Sequence, residues 1–153
     1  MFTRTRSVVA IGVVMSLAVF GCATNGAQKQ IVATKKAPEA IGPYSQAVKF
    51  GNLLFLAGQI AIDPKTYQLM KDASIEDQTR LVLNNLKAVL EENGMTMDNA
   101  LSTTVFLKDL NDFAKMNAVY AEFFKSAPPA RATVEVARLP RDVKVEIAMI
   151  AGK

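Results

Sequence analysis

Hydrophobic and polar residues alternate strictly in two runs near the carboxyl end of the chain. In the first, Ala132, Val134 and Val136 point one way and Arg131, Thr133 and Glu135 the other. In the second, Val143, Val145 and Ile147 oppose Lys144, Glu146 and Ala148. A period of two is that of a half-buried strand. Pro128 and Pro129 close whatever precedes the first run, because each ring fixes φ and removes a backbone donor. Residues 46–50 and 53–57 flank Gly51-Asn52, a pair that tolerates positive φ and so predicts a hairpin. Ile31-Val32-Ala33-Thr34 predicts an edge strand, and residues 103–107 a further strand. Helical spacing occurs twice. Ser74 is a cap, Glu76 and Asp77 fill the first turn, and Ile75, Thr79, Val82, Leu83, Leu86, Val89 and Leu90 recur until Asn93-Gly94. The polar side of that helix carries Arg80, Lys87, Glu91 and Glu92. In the second helix Asp109 to Asp112 supply caps, and Phe113, Met116, Tyr120, Phe123 and Phe124 form the apolar stripe.

The order is strand, hairpin, helix, strand, helix, strand, strand. It implies an α+β domain, a mixed sheet with both helices on one face. The other face then needs a cover, and self-association is the simplest one. Composition adds limits. At 153 residues, half of them hydrophobic, the chain holds one domain with at most a short appendage. Its formal charge of +4 falls to +2 once Arg4 and Arg6 are set aside, and no basic run argues for nucleic acid. There is no histidine, and the single cysteine, Cys22, excludes an intrachain disulfide and a Cys/His zinc site. Any catalysis falls to carboxylates, arginine, tyrosine, backbone groups and water.

Arg4 and Arg6 precede an apolar run over residues 8–20, interrupted by Gly12 and Ser16, which is the pattern of a signal peptide over residues 1–21. The run ends Leu17-Ala18-Val19-Phe20-Gly21-Cys22, which resembles a bacterial lipobox, although Phe20 is bulky for its place. The resemblance implies lipidation of Cys22, a tether over residues 22–30, and a domain over residues 31–153. Such a chain sits on the bacterial cell envelope, in the periplasm or on the outer membrane, and meets the membrane only through its lipid. An ordinary signal peptide and a misassigned start codon, which leaves the protein in the cytoplasm, are the alternatives.

Arg131 and Glu146, a cation early in one strand and a carboxylate inside the next, are suited to one small anionic ligand. They read equally well as solvated strand-face charges. Tyr44, ending a loop with two prolines and a glycine, is a packing residue or a ligand-facing hydroxyl. Gly58, at a strand exit, lets backbone amides approach another group closely. Asn117 ties down a neighbouring backbone or lines a pocket.

Seven blocks occur in order: Ile41-Gly42-Pro43-Tyr44-Ser45-Gln46-Ala47, Ala57-Gly58-Gln59-Ile60, Asn84-Asn85-Leu86, Thr103-Thr104-Val105-Phe106-Leu107, Asn117-Ala118-Val119-Tyr120, Pro129-Ala130-Arg131 and Val136-Ala137-Arg138-Leu139-Pro140. Together they resemble the Rid (reactive intermediate deaminase, YjgF-like) family from about residue 31 to residue 150. The resemblance implies a chorismate-mutase-like fold and a homotrimer with ligand clefts between subunits. It implies hydrolysis of 2-imino acids, such as 2-iminopropanoate and 2-iminobutanoate, to 2-keto acids and ammonia, with neither cofactor nor metal. Arg131 then matches the arginine that holds the substrate carboxylate, and Glu146 the carboxylate that orients or activates water. Tyr44 lines the cleft, Gly58 offers its backbone, and Asn117 a cleft-side amide. Thr133 stands where many members carry cysteine, and Ala57 where many carry serine. A non-catalytic trimer that binds small carboxylates or acts as a chaperone is the alternative, and a nuclease a third.

Overall fold

The computed structural model describes residues 26–153; the signal-peptide segment and Cys22 lie outside the described residues. Six strands form one sheet in the order β1-β2-β3-β6-β4-β5. β1 (Lys29–Val32) is the edge strand, starting inside the segment read from sequence as tether. β2 (Ala47–Phe50) and β3 (Leu53–Gln59) form the hairpin, with Gly51 at φ 60° in its turn. α1 (Ile75–Glu92) starts at Ser74, whose Oγ accepts from Asp77 N, and ends at Asn93, with Gly94 at φ 64° beyond it. β4 (Ala100–Leu107) follows, then α2 (Phe113–Phe123), β5 (Ala130–Glu135) and β6 (Val145–Gly152). α1 crosses from β3 to β4 and α2 from β4 to β5, both on the same face. Crossovers of this length are what parallel neighbours require, and β5 does pair parallel with β4.

The two alternating runs do not pair with each other. β6 lies between β3 and β4, antiparallel to both, while β5 holds the far edge. On the helix side Val145, Ile147, Met149 and Ala151 of β6 meet Leu54 and Leu56 of β3, Val105 and Leu107 of β4, and the α1 stripe in one core. Every stripe residue read from the α1 sequence is buried. On α2 Met116, Val119 and Tyr120 are buried, Phe124 just past its end is buried too and Phe123 packs against the core, whereas Phe113 is 40% exposed.

β5 reverses the expectation drawn from its apolar alternation. Arg131 and Thr133 pair with Thr103 and Val105, so they face the helices, whereas Ala132 and Val134 stand exposed on the open side. The reason is position: an edge strand over the end of the helix layer has the polar side of α2, not its apolar stripe alone, to pack against. The open side also presents Ile31, Phe50, Leu53, Phe55 and Ile150, all more than a third exposed. A contiguous apolar face of this kind is a mark of association.

Three buried amides, none assigned a role by sequence pattern, anchor the loops around the sheet. Gln46 Oε1 accepts from Thr34 N at 2.6 Å while its Nε2 donates to Thr34, Ala37 and Pro38 carbonyls. Asn85 Nδ2 donates to Ile62 O at 3.0 Å. Gln78, wholly buried, donates to Lys71 O and Ala73 O and accepts from Lys144 N at 2.9 Å. Replacing Gln78→Leu orphans those groups at a cost of about 1–3 kcal/mol for each one left dry. Urea denaturation at fixed protein concentration should therefore show a loss of at least that size, and an unchanged midpoint would mean that water takes over the amide's bonds.

Candidate functional site

β3 places two residues between Leu56 and Gln59 where β6 places one between Met149 and Ile147, and the extra residue makes a bulge at Ala57-Gly58. The bulge brings Gly58 against the Glu146 side chain. A Cβ on Gly58 would overlap Glu146 Oε1 and lie 2.9 Å from Cδ, so the absence of a side chain is what admits the carboxylate. Glu146 is half-buried, and among the described residues no cation or hydrogen-bond donor meets its oxygens. Burial alone lifts its carboxyl above the usual range.

A cleft of about 360 Å³ opens in front of this carboxylate, walled by Tyr44, Ala57, Gly58, Ile60, Pro140 and Glu146. Tyr44 is exposed in the single chain, and its hydroxyl accepts from Ile41 N at 3.3 Å. The wall at Pro140 comes from a strained turn, with Arg141 and Asp142 both at positive φ, pinned by Arg138 Nε and Nη2 on the Asp142 carboxylate. Ile60 and Ile62 pack with Leu139 and Val143 beneath it as a second, smaller core.

Arg131 is elsewhere. It leaves the helix side of β5, Nη2 donating to Asn117 Oδ1 at 2.8 Å and Cζ lying 4.5 Å from the Tyr120 ring centroid. Asn117 thus bonds a side chain rather than backbone, and within the single chain it lies away from the cleft at Glu146. No carboxylate among the described residues pairs with Arg131, so most of its donors are uncommitted. Thr133, two residues on, buries its Oγ1 with no partner.

The residues singled out by sequence therefore fall into two groups. Tyr44, Gly58 and Glu146 share the cleft; Arg131, Asn117 and Thr133 share the helix side of the opposite edge strand. Glu146 registers with Phe106, which registers with Val134, and that line is on the open face. Within one chain the cation and the carboxylate do not meet, since they leave opposite faces of the sheet. Tyr120 and the three amides escaped the sequence reading as functional groups. A signal existed for two of them: Gln78 and Asn85 occupy helical-spacing positions inside the α1 stripe, where a polar residue must be bonded.

The Gly58 contact makes a direct test. Gly58→Ala has to displace the tip of a flexible side chain, so thermal stability should change little. The carboxylate should move by an ångström or more, and any activity dependent on it should drop by about 10²-fold. Retained activity with a shifted Glu146 in a crystal structure would remove the carboxylate from the chemistry.

A family model described as endoribonuclease L-PSP matches residues 34–153. A RutC family protein of Pyrococcus horikoshii is 58% identical over 125 residues, covering 82% of this chain and 98% of that protein. The 2-iminobutanoate/2-iminopropanoate deaminase of Salmonella typhimurium is 50% identical over 123 residues, 78% of this chain and 94% of the enzyme. The crystal structure of the YjgF gene product of E. coli superposes with a TM-score of 0.78 at 48% identity, covering 81% of this chain and 98% of that one. The chain belongs to the endoribonuclease L-PSP family, which includes the RutC and Rid proteins and at least one imine deaminase.

Proposed function

We propose that this protein is an enamine/imine deaminase that hydrolyses 2-imino acids, and that its active site is completed between subunits of a homotrimer. The observation that carries the proposal is the complementary incompleteness of the two groups. Arg131 is a cation oriented by neutral partners, and Glu146 is a desolvated carboxylate with no cation near it. Set face to face across a subunit boundary, each supplies what the other lacks. The exposed apolar sheet face gives the subunits a reason to associate, and the deaminase of Salmonella typhimurium gives the reaction class a precedent.

The chemistry needs little more. The guanidinium of Arg131 holds the substrate carboxylate as a planar fork. Water, placed between Glu146 and the C=N carbon, forms the new C–O bond as the C=N π pair moves to nitrogen. Glu146 takes the water proton and returns it to that nitrogen. Glu146 then takes the carbinolamine O–H proton and passes it to the amine nitrogen, the O–H electrons form the ketone as the C–N bond breaks, and ammonia leaves with that proton. Placement of two reactants supplies much of the acceleration, and a positioned base adds about 10²–10⁴-fold.

Mixing separates this reading from its alternatives. Arg131→Ala and Glu146→Gln alone should each lower kcat/KM for an imine made in situ by an amino acid oxidase by roughly 10²-fold. Co-expressed, the two variants should regain about a quarter of the wild-type sites, since a ring of heterologous contacts pairs intact halves by chance. No recovery would place both groups in one chain's site or outside the chemistry, and unimpaired single variants would leave a binding protein.

For the segment outside the described residues we propose lipidation at Cys22 and anchoring at the cell envelope, on the basic and apolar pattern that precedes it. No helix among the described residues is long and apolar enough to cross a membrane. Cys22→Ala should move the protein from the membrane to the soluble fraction; unchanged partitioning removes the anchor.

A further inference from the structure

We propose that Tyr120 is the positioning residue for Arg131, a neutral shelf that fixes the guanidinium while leaving its charge free for a small carboxylate. The inference rests on the reading of Arg131 as the carboxylate grip. A protein usually orients an arginine with an acid, which holds it through charge-assisted bonds and also cancels its charge. Here the orienting groups are uncharged: the Tyr120 ring with its centroid 4.5 Å from Cζ, Asn117 Oδ1 at 2.8 Å, and the Phe113 ring at 5.7 Å. A cation over an aromatic face is attracted by the ring quadrupole, more so away from water.

The shelf is itself locked. Tyr120 is 5% exposed, its hydroxyl is 2.7 Å from Thr103 Oγ1, and its ring lies 4.4 Å from that of Phe124, centroid to centroid. Thr103 is the residue directly opposite Arg131 in the β4–β5 register, so the hydroxyl pair fastens the ring to the backbone beneath the arginine. Burial lifts the Tyr120 phenol above its ordinary value, against the smaller opposing pulls of Thr103 and Arg131. The ring therefore stays neutral and does not compete with a ligand for the guanidinium.

The test titrates 2-oxobutanoate, a stable 2-keto acid, and 2-oxobutanamide, which lacks the carboxylate, into the assembled protein by calorimetry. Tyr120→Leu should weaken 2-oxobutanoate by about 5- to 30-fold and leave the amide unchanged. Tyr120→Phe, which keeps the ring, should stay within about threefold of wild type. In turnover the loss should appear in KM rather than kcat. Equal weakening of both ligands would overturn the inference, because a core-filling role affects both alike. Should Tyr120→Leu fail to assemble, fluorinated phenylalanines at position 120 keep the shape and drain the ring face. Affinity for 2-oxobutanoate should then fall steadily with fluorine number, and a flat series overturns the inference. The underlying reading is checked by Arg131→Ala in the same titration. If that variant binds normally, the grip itself is wrong; if it binds weakly while Tyr120→Leu binds normally, only the shelf is wrong.

Discussion

Side chains on a strand go alternately to one side of the sheet and then the other, and this parity governs what the molecule can do alone. Arg131 shares its side with Thr103, Val105 and Ile147; Glu146 shares the other with Phe106 and Val134. No rotamer carries either group through the sheet. A guanidinium and a carboxylate on opposite faces are brought to one small molecule in the proposed assembly, where they come from two sheets. The same parity leaves Leu53, Phe55 and Ile150 uncovered on the carboxylate side, where a second sheet can bury them. The need for association and the need to finish the site arise from one geometric fact.

Around this sheet the chain spends its buried polar groups on placing loops. Gln46 closes the strap that carries Pro38 and Glu39 to the cleft, and Asn85 fixes the backbone at Ile62 behind Ile60. Gln78 joins the loop before α1 to Lys144, two residues from Glu146. An amide can satisfy donor and acceptor together without introducing charge, so it can anchor irregular backbone inside an apolar layer at low electrostatic cost. Rigid walls follow, and rigidity is what a site that works by placement requires.

Much of this is legible in the sequence. The hairpin at Gly51-Asn52, the extent of α1 from Ser74 to Asn93-Gly94, and two helices on one face follow from period, caps and turn chemistry. Edge effects are not legible. Alternation along β5 says which residues share a side, but only the neighbours decide which side is buried, and at the sheet margin the polar set of Arg131 and Thr133 won. Nor does spacing reveal that β5 and β6 lie apart, since a central strand can be filled by the last segment of the chain as readily as by the next. The resemblance assigned Arg131 and Glu146 to one cleft between subunits; what spacing along the chain does not reveal is that the two side chains leave opposite faces of the sheet.

The two positions at which the resemblance implies other residues, Ala57 and Thr133, bear on this unequally. Ala57 lies in the bulge beside Gly58 and removes a hydroxyl from the cleft wall without touching the position of Glu146. Thr133 replaces a thiol with a hydroxyl at a place where Oγ1 is buried and unpartnered. A thiol tolerates such a place, being a weak donor and a weak acceptor; a hydroxyl does not, and it loses a bond's worth of stabilisation until something supplies one. If Arg131 holds a carboxylate as proposed above, that ligand would have acceptor oxygens to spare, and threonine would offer it a donor where cysteine would offer little.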